Sequence, residues 1–243
     1  MHRFGLIGKD ISYSFSPGYF REKFETLGLA GYLYEIYDLP EIAAFPDLLG
    51  RYPDLQGLNV TIPYKEAVIP YLDHLEEKAR EIGAVNTIRV HGGRLEGYNT
   101  DVLGFRESLR PLLRKTDRKA LILGTGGASK AVAHGLRELG LDYRFVSRNP
   151  KQGQLAYADL DTALMEQHQV LVNCTPLGTF PAVEKAPPLP YEALGSSHLL
   201  YDLIYNPAET TFLRKGRLQG ARTKNGLEML ELQAEASWNI WTS

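Results

Sequence analysis

The chain has 243 residues, 44% apolar and 23% charged, which suffices for one large or two modest domains with their own cores and excludes wholesale disorder. Twenty-seven lysines and arginines against 29 acids leave a net charge of −2, which excludes the basic excess of a nucleic-acid binder. The single cysteine, Cys174, excludes an intrachain disulfide and a four-cysteine zinc site, and no apolar run approaches the ~20 residues that span a bilayer; with no signal-like stretch at the start, the expectation is a cytoplasmic protein.

Arg3 to Ile7 reads as a short strand that stops at Gly8, and the hydroxyl-rich stretch Ile11 to Pro17 as a loop. From Gly18 to Leu27, apolar residues at 19, 20, 24 and 27 have helical spacing, and Gly28 is the stop. The pattern then predicts a strand over 32–37, a helix over 39–49, a strand over 57–62 ended by Pro63, and two helical pieces over 65–72 and 75–82. Strands over 84–90 and 94–98 flank a hairpin turn at His91-Gly92-Gly93, and a helix over 100–113 follows with Thr100 as its N-cap.

The charged stretch Lys115 to Lys119 marks a change of pattern near residue 117. Ala120 to Leu123 is a buried-strand run that leads straight into Gly124-Thr125-Gly126-Gly127-Ala128-Ser129. A helix follows with Ala131, Val132, Gly135, Leu136 and Leu139 on its apolar side. Further strands are expected at 143–146, 170–173 and 199–203. Strands alternating with helices imply a parallel sheet of the βαβ class. Apolar residues at 227, 230, 234, 238 and 241 predict a closing amphipathic helix, and its Trp238 and Trp241 read as core packing.

Strand, glycine loop and helix together form the context that a dinucleotide fingerprint requires. Gly124 allows the tight turn, and Gly126 lets the backbone approach a pyrophosphate. The helix N-terminus offers N–H groups and a positive dipole end. Ser129 stands where the third glycine is usual, small enough for helix–strand packing. The next strand ends Val146-Ser147-Arg148-Asn149, with no acid to bind a ribose 2′-hydroxyl. Arg148, with help from Lys151, suits a 2′-phosphate, so NADP is expected over NAD; the alternative is a solvated surface arginine.

In the first half, polar residues recur in unusual places. Ser14 and Ser16 flank Phe15 and share a side if the loop is extended. Asn59 and Thr61 share a face of an otherwise apolar strand, and Lys65 follows at a helix start. Asn86-Thr87 lies within Ala84–Ile88, and Asn99-Thr100-Asp101 lies where a strand meets a helix. Singly, each has a structural explanation: turn serines, a satisfied buried amide, a first-turn acid. Together they offer hydroxyls and amides for a polyol, with one lysine and one carboxylate for proton transfer.

These residues make the chain resemble the shikimate dehydrogenase family along nearly its whole length. The resemblance rests on eight motifs in order: Ser14-Phe15-Ser16-Pro17, Asn59 through Lys65, Gly83 through Thr87, Gly97 through Asp101, Gly124 through Ser129, Asn173 through Gly178, Tyr201 through Pro207, and Gly226 through Gln233. It implies an α/β protein with an N-terminal α/β substrate domain over 1–101 and a Rossmann-type NADP domain with a parallel sheet over 102–226. Residues 227–243 would return as a helix to the first domain, and the two domains would meet at a cleft. It implies reversible, NADPH-dependent reduction of 3-dehydroshikimate to shikimate in aromatic amino-acid biosynthesis, by a monomer or homodimer without a metal.

The resemblance also implies roles. Lys65 would be the acid/base, and Asp101 would bond the substrate and interact with that lysine. Ser14, Ser16, Asn59, Thr61, Asn86, Tyr205 and Gln233 would contact the substrate. Gly124, Thr125, Gly126, Gly127, Ala128 and Ser129 would hold the pyrophosphate, and Ser147 and Arg148 the ribose phosphate. Thr175, Leu203, Gly226 and Met229 would line the nicotinamide side. Three departures from the family pattern stand out: Gly18-Tyr19-Phe20 in place of Met-His-Asn, Gln152 where a second arginine is common, and Asn225 where an acid is common. The alternatives are a quinate/shikimate dehydrogenase and a nucleotide-binding regulatory module without turnover.

Overall fold

The computed structural model describes residues 1–12 and 14–243, so residue 13, within the expected first loop, lies outside the described residues. The chain divides into two compact units, Met1–Thr100 with Gln233–Ser243, and Asp101–Leu232.

In the first unit the elements are β1 (His2–Gly8), α1 (Ser16–Thr26), β2 (Tyr32–Asp38), α2 (Phe45–Arg51), β3 (Leu55–Val60), α3 (Tyr64–Ala67), β4 (His74–Leu75), α4 (Glu77–Ile82), β5 (Thr87–His91) and β6 (Arg94–Tyr98). They build a six-stranded sheet in the order β2-β1-β3-β5-β6-β4. This sheet is mixed: β1 runs parallel to β2 and β3, whereas β5 pairs antiparallel with both β3 and β6. The reversal between β5 and β6 comes from the turn at Gly92 and Gly93, both at positive φ as a tight hairpin needs. Several expected elements are shorter than the apolar pattern suggests. The helix over 65–72 is a four-residue turn followed by a 3-10 turn at Ile69–Tyr71, because Pro70 cannot donate into a continuing helix. Residues 84–86 precede β5, although Val85 and Asn86 still donate to the carbonyls of Lys65 and Tyr98 at 2.7 and 3.1 Å.

The second unit holds α5 (Asp101–Leu109), β7 (Lys119–Leu123), α6 (Gly127–Glu138), β8 (Asp142–Ser147), β9 (Leu155–Ala156), α7 (Thr162–Gln167), β10 (Val170–Asn173), β11 (Leu199–Asp202), α8 (Thr211–Leu218), β12 (Arg222–Lys224) and the start of α9 (Leu227–Thr242). Its sheet has the order β12-β11-β10-β7-β8-β9, with every pairing parallel. Alternate residues face opposite cores. Ala120, Ile122, Val170, Val172, Leu199 and Tyr201 pack with α6 residues on one side. Leu121, Leu123, Leu171 and Leu200 pack with Phe212 and Met165 on the other. Burial on both faces is why these strands read as unbroken apolar runs.

Helix α9 carries Met229 in a core of the second unit and Trp241 in a core of the first. The Trp241 ring lies 5.0 Å from that of Phe4, and its Nε1 donates to the Ile88 carbonyl at 2.9 Å. Tyr19 and Lys23 of α1 both bond Glu235 of α9, Lys23 at 2.7 Å, and Phe20 is fully buried against Tyr34. Tyr19 thus ties α1 to α9, and Phe20 packs on both Tyr34 of β2 and Trp241 of α9. Among the described residues, no helix is long and apolar enough to cross a membrane.

Candidate functional site

Two polar constellations take shape, one in each unit. In the second unit, β7 ends at Gly124, whose φ of +103° is a conformation other residues rarely adopt. A side chain there would also press on Thr175 Cγ2 at 3.0 Å. Gly126 is extended, with open space where a side chain would stand, and it precedes the twelve-residue α6 without any side-chain cap. The N-terminus of α6 therefore opens on that space with the positive end of the helix dipole, a seat for a phosphate, although the Ser129 N–H is taken by the Gly126 carbonyl at 3.0 Å. Ser129 is buried and donates back to the Gly126 carbonyl at 2.6 Å, which braces the loop from below. It does the packing expected of a third glycine and adds a bond that glycine lacks.

At the end of β8, Ser147 Oγ accepts from the Asn149 amide at 3.2 Å, which leaves its own proton for a ligand oxygen. Arg148 is exposed beside it, and residues 147–151 contain no carboxylate. These features fit an adenosine dinucleotide that carries a 2′-phosphate.

The ends of β10 and β11 are tied together by buried side chains. Asn173 accepts from both the amide and the hydroxyl of Thr175, at 3.0 and 2.7 Å, and donates to Asp202 at 3.0 Å. Asp202 also accepts from the Ile204 amide at 3.0 Å and the Thr210 hydroxyl at 2.6 Å. Burial pushes the Asp202 carboxyl up to about 6, against the opposing pull of those three donors. Gly226 packs on the Leu203 backbone so closely that a Cβ would stand 2.2 Å from its carbonyl oxygen. Thr175, Leu203, Gly226 and Met229 are thus assembled within one unit, with Met229 and Leu203 in the same apolar cluster as Cys174. Burial drives the Cys174 thiol far above its ordinary range, so it behaves as an apolar group.

In the first unit the amides form a continuous row. Asn59 Oδ1 accepts from the Tyr34 hydroxyl at 2.8 Å, and its Nδ2 donates to Ser237 Oγ at 2.9 Å. Asn86 accepts from the Thr100 amide at 2.7 Å and donates to Thr100 Oγ1 at 2.9 Å and to Gln233 Oε1 at 2.8 Å. Ser16 bonds the same Tyr34 oxygen, while burial holds that phenol far above its ordinary range. The structure therefore links Ser16, Asn59, Asn86 and Gln233. Thr61 follows β3 and still pairs through its amide with the Ile7 carbonyl at 2.9 Å. Lys65 sits in the first turn of α3, its side chain half-buried, and its carbonyl accepts from Val85.

The serine pair differs from expectation. Phe15 is helical, with φ −65° and ψ −41°, and Ser16 is already the first residue of α1. Ser14 and Ser16 are not two positions of one extended segment, because the chain between them has already turned helical. Pro17 accounts for the early start, since proline is favoured in the first turn. Asp101 and Tyr205 fall in the second unit, Asp101 buried as the first residue of α5 and Tyr205 half-buried after β11. Tyr34, Ser237 and Asp202 escape the sequence reading as functional positions. Asp202 lay inside the Tyr201 through Pro207 motif without a role of its own, and Ser237 stands four residues beyond Gln233 and so on the same helix face.

Comparison with known proteins follows the geometry. A model of the shikimate dehydrogenase substrate binding domain matches residues 6–88. A shikimate dehydrogenase (NADP(+)) of Caldanaerobacter subterraneus subsp. tengcongensis is 37% identical, with the match covering 98% of this chain and 91% of that protein. One of Halothermothrix orenii is 38% identical, over 98% and 90%. The crystal structure of a shikimate 5-dehydrogenase from Thermus thermophilus, in complex with NADP(H) and shikimate, superimposes with a TM-score of 0.88. It is 35% identical and covers 100% of this chain and 94% of its own.

Proposed function

The chain belongs to the shikimate dehydrogenase family, and from that premise we propose how its residues divide the work of reversible, NADPH-dependent reduction of 3-dehydroshikimate to shikimate. Bound NADPH supplies the hydride. Lys65 stabilises the negative charge that develops on the ketone oxygen and donates the proton that completes the alcohol; in the reverse direction it accepts that proton. Asp101 accepts a hydrogen bond from a substrate hydroxyl and so orients the ring. Ser14, Ser16, Asn59, Thr61, Asn86, Tyr205 and Gln233 bind the remaining oxygens and the carboxylate. In this reading residues 1–101 with 227–243 are the substrate domain and 102–226 the NADP domain.

On the coenzyme side, Gly124 to Ser129 with the N-terminus of α6 hold the pyrophosphate. Ser147 and Arg148 hold the ribose phosphate, and Thr175, Leu203, Gly226 and Met229 line the nicotinamide end. The protein's contribution is geometry and fixed charge, while the redox chemistry belongs to the coenzyme. The observation that supports NADP most directly is the exposed Arg148 at a strand end free of carboxylates, beside an uncapped helix N-terminus. The reading places the enzyme in the cytoplasm, with its soluble coenzyme and substrate, as a monomer or homodimer. The test is the fall in NADPH absorbance with 3-dehydroshikimate, run also with NADH and, in reverse, with shikimate and quinate. Turnover restricted to NADP and shikimate is expected; NADPH binding without turnover would make the chain a regulatory module.

A further inference from the structure

Ser237 stands one helical turn beyond Gln233 on α9, fully shielded from water. Its hydroxyl reaches four groups of the first unit: the Gln233 carbonyl at 2.9 Å, Asn59 Nδ2 at 2.9 Å, Thr87 Oγ1 at 2.8 Å and Thr100 Oγ1 at 3.3 Å. A hydroxyl has one proton and two lone pairs. The Gln233 carbonyl can only accept, so it takes the Ser237 proton. The Ser237 oxygen then accepts from the Asn59 amide, and the Thr87 hydroxyl shares its one proton between Ser237 and Asn86 Oδ1, 3.2 Å away.

The direction of each amide is fixed by a partner that can only donate at that contact. Tyr34 donates to Asn59 Oδ1, which leaves the nitrogen of Asn59 turned toward α9. The Thr100 amide donates to Asn86 Oδ1, which makes Asn86 Nδ2 the donor to Gln233 Oε1. The acceptor oxygen of Gln233 is therefore engaged, and its NH₂ group is the end with which it binds a substrate. We propose that Ser237 is a positioning residue: it holds the Asn59 nitrogen toward α9 and, through Thr100 Oγ1 and Thr87 Oγ1, backs the Asn86 amide whose nitrogen engages Gln233 Oε1, so that Gln233 is held with its NH₂ group as the donor to a substrate oxygen. The inference rests on the assignment of Asn59, Asn86 and Gln233 to the shikimate site.

Two variants test it. Ser237→Ala removes a single oxygen from the acceptor side, and Thr87→Val removes the facing donor at nearly constant volume. Steady-state kinetics with shikimate, NADPH binding by fluorescence titration and thermal melting are read on the parent and both variants. The expected result is a KM for shikimate raised about 3- to 10-fold in each, with kcat and the Kd for NADPH as in the parent. A parent-like KM accompanied only by a lower melting temperature makes Ser237 a packing residue and overturns the proposal. If Ser237→Ala does not fold, Thr87→Val decides by the same criterion. A parent that binds NADPH yet does not turn over shikimate defeats the functional reading, and the inference with it; a working parent with unchanged variants defeats the inference alone.

Discussion

Arg148→Ala is the sharpest test of coenzyme choice. The guanidinium is a planar, permanently charged fork that matches phosphate oxygens, and a charge-assisted bond of this kind contributes about 1.5–3 kcal/mol. That range corresponds to a ~10- to 150-fold preference. Arg148 is exposed at the end of β8, so water and salt screen it, and the lower part of the range applies, about 10- to 40-fold. Its neighbours replace it only in part: Ser147 offers one neutral hydroxyl, and Lys151 an exposed ammonium, a point charge on a flexible stem rather than a planar fork. The variant should therefore show a KM for NADPH raised about 10- to 40-fold, with the KM for NADH nearly unchanged. The preference of the parent should also weaken at high ionic strength. Initial rates with both coenzymes at low and high salt measure all of this. A variant that keeps the parent's NADP preference would show that Arg148 is a surface residue and that the 2′-phosphate is held elsewhere.

Three further outcomes are expected. Lys65→Ala should lower kcat by about 10²–10⁴ while the Kd for NADPH stays as in the parent; near-normal turnover would assign the proton to another group. Gly226→Ala forces a Cβ against the Leu203 carbonyl, which the ideal geometry puts at 2.2 Å, and should cost about 1–3 kcal/mol together with a weaker affinity for NADPH, both checked by melting and titration; a parent-like melting temperature would contradict the close approach. Asp202 titrates near 6 rather than 3.8 because it is buried, so between those values the folded chain holds a proton that the unfolded chain has lost. This group therefore favours the folded state as pH falls from about 6 to about 4, a gain of about 2 kcal/mol. Urea unfolding of the parent and Asp202→Asn at both ends of that window should show the gain only in the parent, and equal pH slopes would refute the shift.

The sequence by itself determined the elements whose pattern is long or chemically marked. The run Ala120 to Leu123 followed by three glycines within four residues specifies a strand, a turn and a helix start whatever surrounds them, because only that geometry uses a positive φ and an uncapped helix end at that spacing. The parallel pairing of the second unit was legible for the same reason: strands buried on both faces are apolar at every position. Tertiary structure decided what depends on partners distant in the chain. Nothing near residue 34 tells that Tyr34 bonds Asn59, 25 positions on, and nothing near residue 237 tells that Ser237 meets Asn59 across 178 positions. Local conformation also went its own way where a short signal had competitors. Pro17 drew Ser16 into α1 with a helical Phe15 before it, although the sequence had suggested an extended loop across Ser14 to Ser16. Residue type and spacing select the chemistry that is available, but a hydrogen bond has a direction, and the direction of a buried amide is set by all of its neighbours at once, which only the folded chain brings together.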